Sequence, residues 1–122
     1  MKSFLWVAIG SGIGGALRYG VSLIVKSGSG FPLSTLCVNT AGSFLLGLIF
    51  AIFNKNNAVH SDLFLLLSVG VCGGLTTFST FSKESVQLLQ QGLYGICATY
   101  ILSSFILGIG AMFLGIYCVQ AA

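Results

Sequence analysis

Four long apolar runs dominate this 122-residue chain, and they restrict its fold more than any motif does. A bilayer core about 30 Å thick is crossed by about 20 mostly apolar residues in a helix, which satisfies its backbone polar groups within its own segment. The chain has room for four such helices with short connections. With 56% hydrophobic and 6% charged residues, it lies far from the roughly 25% charged content of a soluble domain. The expected fold class is an all-α membrane protein of four transmembrane helices, forming one small domain over residues 1–122.

Polar breaks set the boundaries. "KSGSGFP" (Lys26 to Pro32) and "NKNNAVHSD" (Asn54 to Asp62) are turns rich in Gly, Asn and Ser, and Gln90, Gln91 and Gly92 mark a third. Pro32 suits a helix start, where its missing N–H costs nothing. The spacing predicts helices at about Lys2 to Val25, Pro32 to Phe53, Leu63 to Gln91 and Leu93 to Cys118. Lys2 and the apolar run from Phe4 imitate a cleavable signal. The run continues to Arg18 and then resumes, so it reads as a first span.

The net charge of +3 is spread over Lys2, Arg18, Lys26, Lys55 and Lys83 against Asp62 and Glu84, which leaves no basic patch for nucleic acid. Lys2 and Lys55 fall on one side of the membrane, Lys26 and Lys83 on the other, so the Lys and Arg bias that orients a chain is close to nil. Such a chain is free to insert both ways round, or to be oriented by a partner. Cys37, Cys72, Cys97 and Cys118 all fall in apolar segments without C-x-x-C spacing and read as small packing residues.

Polar residues inside the spans need an explanation. Arg18, in the first, would cost about 2.5 to 3.5 kcal/mol facing lipid, so it has to snorkel, pair or face water. On the second, Thr35, Asn39 and Ser43 recur every four residues and share a face. Asn39 is the expensive member: its carboxamide seeks either an interhelical partner or a passing anion.

The third span carries "CGGLTTFSTFS" (Cys72 to Ser82). Gly73 and Gly74 weaken a helix, while the hydroxyls of Thr76, Thr77, Ser79 and Thr80 can bond freed backbone groups, so a broken third helix is expected. Irregular backbone at that depth persists only where protein buries it or where it lines a watery cavity. Phe78 and Phe81 share a face beyond the break, either as core or as rings offering electropositive edges to a small anion. On the fourth span Tyr100 and Ser104 stand four apart, with hydroxyls that either bond back to their own helix or line a path. Lys83 and Glu84 fit a wetted vestibule or a plain solvated helix end.

Four short helices do not easily enclose a polar path, so these residues ask for a second copy of the chain. Gly10, Gly12, Gly14 and Gly15, Gly42 and Gly47, and Gly108, Gly110 and Gly115 allow close helix packing, with G-x-x-x-G spacing at Gly10 and Gly14.

Three blocks in order, "GGALRYG" (Gly14 to Gly20), "TLCVNTAGSFLLG" (Thr35 to Gly47) and "GVCGGLTTFSTFSKE" (Gly70 to Glu84), closely resemble the Fluc family of fluoride channels, also called CrcB. The resemblance covers nearly the whole chain. It implies an antiparallel, dual-topology homodimer in the bacterial inner membrane, surrounded by lipid and passing fluoride ion passively out of the cell. It implies a structural sodium ion at the dimer centre, held by the backbone carbonyls of Gly73 and Thr76. It also implies a pore lined by Asn39, Phe78 and Phe81, with polar positions at Ser79 and Thr80. Arg18 would stand near the vestibule, and Thr35, Tyr100 and Ser104 would belong to a hydroxyl track.

The alternatives are a proton-coupled exporter of the four-helix multidrug type and a scaffold subunit. Proton coupling needs a titratable carboxylate in the spans, and the candidates are Asp62 in a loop and Glu84 late in the third helix. An enzyme is not expected: the one histidine, His60, sits in a loop without metal-ligand spacing or a nucleophile to serve.

Overall fold

The computed structural model describes residues 1–26, 28 and 30–122, so Ser27 and Ser29 of the predicted Lys26 to Pro32 turn lie outside the described residues. The chain is all helical in its described elements: α1 (Lys2–Ile24), α2 (Leu33–Lys55), a segmented third span, and α6 (Tyr94–Gln120). The third span consists of α3 (Asp62–Leu65), a π-helical stretch π1 (Leu66–Cys72), α4 (Gly73–Leu75) and α5 (Phe78–Gln90). Four helical stretches, the third being Asp62–Gln90, are long and apolar enough to cross a membrane. The predicted boundaries lie within about two residues of these, the spread expected of fraying ends. Pro32 is the cap of α2 rather than its first residue.

The break falls later than the glycines suggest. Gly73 and Gly74 are helical, and the backbone becomes extended at Thr76 (φ −82°, ψ 156°) and Thr77 (φ −153°, ψ 120°). The glycines instead permit backbone contact with α1. A Cβ at Gly74 would strike the Ser11 carbonyl, one at Gly10 the Leu66 carbonyl, and one at Gly14 the Val71 carbonyl. The G-x-x-x-G pair of α1 therefore seats π1 and α4 within one chain. Gly12 and Gly15 meet nothing comparable.

A second close seam joins α2 to α6, where a Cβ at Gly47 would meet the Met112 carbonyl and one at Gly115 the Phe44 carbonyl. Beside it sits a buried cluster of Leu36, Phe81, Leu88, Cys97 and Tyr100. Cys72 and Cys97 are buried, Cys37 and Cys118 exposed, and all four thiols are free. Many large apolar side chains of α1 and α6, among them Phe4, Ile24, Ile106 and Phe113, are exposed, as lipid contact requires.

Candidate functional site

The break is completed by a side chain from α2. A continuous helix would send the Thr77 N–H to the Gly73 carbonyl and the Thr80 N–H to the Thr76 carbonyl. Here the Thr77 N–H donates to Asn39 Oδ1 at 2.7 Å, and the Thr80 N–H donates to Thr77 Oγ1, the N-cap of α5, at 3.2 Å. Asn39 Nδ2 returns a bond to the Thr77 carbonyl at 3.1 Å. The carboxamide thus pairs with Thr77 as a neighbouring strand would, and it keeps one N–H free to donate elsewhere. Gly42, nearly a turn further along α2, leaves room for the Thr76 methyl. The carbonyls of Gly73 and Thr76 are left without the donors a helix would give them.

A cavity of about 280 Å³ opens beside this pairing, lined by Asn39, Ser43, Phe78, Phe81, Ser104 and Phe105 among others, with no Lys or Arg among its described lining residues. Phe81 is its inner wall: its ring lies 5.7 Å from Phe78, 5.1 Å from Tyr100 and 6.3 Å from Phe105, the last edge to face at 90°. Phe78 is 75% exposed and Phe81 9%, so the two rings share a helical face but differ sharply in cover. Ser104 Oγ is buried and has no hydrogen-bond partner among the described residues.

Arg18 lies elsewhere, in a second cavity of about 300 Å³ shared with Thr35, Thr80 and Glu84. Thr77 borders both cavities, so the Asn39–Thr77 pairing stands between them. Ser79 is exposed and reaches Thr77 Oγ1 at 3.3 Å, and it lines neither cavity.

The structure adds a carboxylate that sequence reasoning left at the helix end. Thr35 Oγ1 donates to Glu84 Oε1 at 2.7 Å, and the fully buried Tyr100 donates its hydroxyl to Glu84 Oε2 at 2.8 Å. Two of the three hydroxyls expected along the track, Thr35 and Tyr100, are therefore committed to Glu84, which ties α5 to both α2 and α6, while Ser104 is not. Glu84 also borders a third cleft, of about 250 Å³, at the mouth formed by Pro32, Gln87 and Gln91. A signal was available: a carboxylate within a span demands donors, and Thr35 and Tyr100 were the hydroxyls already in view.

Fold and site define an integral membrane protein whose spans surround polar cavities at a helix break. The family model described as "CrcB-like protein, Camphor Resistance (CrcB)" matches residues 5–116. A protein of Phocaeicola vulgatus named "Fluoride-specific ion channel FluC" is 43% identical over 119 residues, covering 96% of this chain and 98% of that one. Proteins of the same name from Flavobacterium psychrophilum and Thermus thermophilus are 42% and 44% identical, covering 95% and 94% of this chain and 95% and 93% of their own lengths. This chain belongs to the CrcB family.

Proposed function

We propose that this protein is a fluoride-specific ion channel that lets fluoride leave the cell down its electrochemical gradient. The relatives' name supports that reading over nearly the full length of the chain, and a channel is not an enzyme. The observation in the molecule that carries it is the cavity at the break. Its donors are neutral: one remaining N–H of Asn39, the unpartnered hydroxyl of Ser104 and the ring edges of Phe78 and Phe81. Neutral donors hold a small, strongly hydrated anion without trapping it, and conduction requires sites weak enough to leave.

The remaining steps follow from the chain's own residues. Arg18 draws anions into the second cavity, and Asn39 and Thr77 form the partition the ion must pass. Glu84, Thr35 and Tyr100 act together beyond Phe81. An anion reaching Thr35 or Tyr100 has to draw their hydroxyls from the carboxylate, so Glu84 governs how readily those donors become available. Thr80 lines the Arg18 cavity, and Ser79, outside both cavities, contacts the Thr77 hydroxyl that caps α5.

The working unit is an antiparallel dual-topology homodimer in the bacterial inner membrane. The nearly balanced Lys and Arg distribution and the uncovered Phe78 ring support it. The carbonyls of Gly73 and Thr76, deprived of helical donors, fit a hard cation such as sodium, which takes oxygen ligands. Bound there, sodium would supply fixed positive charge that compensates carbonyl dipoles at the break.

Fluoride efflux from liposomes containing the purified protein tests this reading, followed with a fluoride electrode under chloride and pH-gradient controls. Fast fluoride loss that needs only a counter-ion path, with chloride retained, is the expected result. Loss tied strictly to proton movement would instead favour the exporter, with Glu84 as its carboxylate.

A further inference from the structure

Two buried hydroxyls among the described residues lack a hydrogen-bond partner, Thr40 Oγ1 and Ser104 Oγ. Elsewhere in these helices the buried hydroxyls of Thr35, Ser68, Thr77, Ser85 and Tyr100 are all spent. Ser68 and Thr76 donate to the carbonyl four residues earlier, as does Ser85, and Thr35 and Tyr100 donate to Glu84. A buried hydroxyl left without a partner forfeits roughly 1 to 3 kcal/mol, so two of them call for an explanation.

The packing register brings them to one level. α2 and α6 run parallel: Gly108 faces Ser43 and Gly47 faces Met112, while Leu36 packs in the cluster that holds Cys97 and Tyr100. One turn back from the Ser43–Gly108 contact, this register puts Thr40 at the level of Ser104, on the seam between the helices. Ser104 lines the cavity that also holds Asn39, Phe78 and Phe81. Thr40 is not among the residues that line it.

We infer that Thr40 is a positioning residue for Ser104 in fluoride passage, an inference that rests on the channel reading above. When Ser104 turns its O–H toward an anion in the cavity, its oxygen keeps lone pairs to be satisfied. Thr40, by rotation about χ1, donates its hydroxyl to that oxygen. Hydrogen bonds in series polarise one another, so the Ser104 O–H becomes a stronger donor to an anion that must give up its water. In the absence of such an acceptor both hydroxyls stay uncommitted, which spares the site a fixed pairing the ion would have to break. Thr40 touches no ion; it aims and strengthens the group that does.

The test is a double-mutant cycle on fluoride efflux from liposomes, with Thr40→Val, Thr40→Ser, Ser104→Ala and the Thr40→Val, Ser104→Ala pair. Val keeps the shape of Thr and removes the hydroxyl. Thr40→Val is expected to slow efflux about fivefold, the worth of one ordinary hydrogen bond, while Thr40→Ser keeps at least half the rate and shows that the hydroxyl matters rather than the methyl. In the Ser104→Ala background, Thr40→Val is expected to cost nothing further. A purely structural Thr40 would slow both backgrounds alike, and that additivity, or an unchanged rate in the single Thr40→Val variant, would overturn the inference while leaving the channel intact. Wild-type protein that retained fluoride would overturn the channel reading itself, and this inference with it. Should Thr40→Val fail to fold, Thr40→Ala is read in the same cycle.

Discussion

The two halves of the third span are held in opposite ways. Before the break, π1 and α4 press backbone against backbone on α1, through Gly10 and Gly14 on one side and Gly70 and Gly74 on the other. After it, α5 is held by side chains: the Asn39 carboxamide at Thr77, the Glu84 carboxylate between Thr35 and Tyr100, and Phe81 packed on Tyr100. Backbone contact leaves nothing to rearrange and makes the first half an anchor. Hydrogen bonds to side chains can be exchanged for bonds to an ion, and both polar cavities border the second half.

The contrast breaks most violently at Gly14. An added methyl would run into the Val71 carbonyl and come within 2.7 Å of the Leu75 nitrogen, and backbone on both sides cannot give way. Gly14→Ala is expected to destabilise by at least about 3 kcal/mol, the upper range of overpacking, and to abolish folded protein in detergent. Gly20→Ala on the same helix meets nothing within 4 Å and should leave the melting temperature unchanged or slightly raised. Equal tolerance at both positions would mean that the first half is not anchored by α1.

Asn39 tests the second half. Asn39→Leu leaves the Thr77 N–H and carbonyl without their partner and should cost about 2 to 4 kcal/mol for the two unpaired groups, with fluoride flux lost. Asn39→Asp still accepts from the Thr77 N–H, but it sets a negative oxygen against the Thr77 carbonyl and on the anion's path. Flux should fall at least about tenfold, the effect of roughly 1.4 kcal/mol, while the elution volume on gel filtration stays that of the unmutated protein. Undiminished flux in either variant would remove Asn39 from the pathway.

Phe78 and Phe81 separate packing from conduction. Phe81→Ile removes part of a buried aromatic cluster and should lower both stability, by about 1 to 2 kcal/mol, and flux. Phe78 is 75% exposed within its own chain, so Phe78→Ile should leave the chain's own packing intact and reduce flux through the loss of a ring edge. If both variants lost stability alike, the second ring would be core in the assembled protein as well.

How much of this could be read from the sequence divides along the same line. The spans, their ends and the close-packing glycines of α1 followed from hydropathy and from G-x-x-x-G spacing, because those signals are local and repeated. The position of the break did not. Gly73 and Gly74 carry the low helix propensity, yet the chain breaks at Thr76 and Thr77, because Asn39 supplies a partner there and α1 demands small residues in helical form at Gly74. Propensity located the region, and tertiary contact chose the residue. The committed state of Thr35 and Tyr100 was hidden for a similar reason: nothing local to either hydroxyl reveals that Glu84, 49 residues from one and 16 from the other, lies between them.

The smallest expected effect falls on that carboxylate and tells the most about the side-chain-held half. Glu84→Gln keeps an acceptor for one hydroxyl and presents N–H to the other, so both bonds lose their charge assistance and one must reverse or break. A stability loss of about 1 to 2 kcal/mol by thermal denaturation follows. Flux need not fall with it. With a weaker acceptor, the Thr35 and Tyr100 hydroxyls are freer to turn toward an anion, and a negative charge beside the path is gone. If Glu84 governs when those donors become available, fluoride efflux should hold steady or rise as stability drops. A parallel fall in both would make Glu84 only a tie between helices, and the ion's contacts would then come from Asn39, Ser104 and the two rings alone.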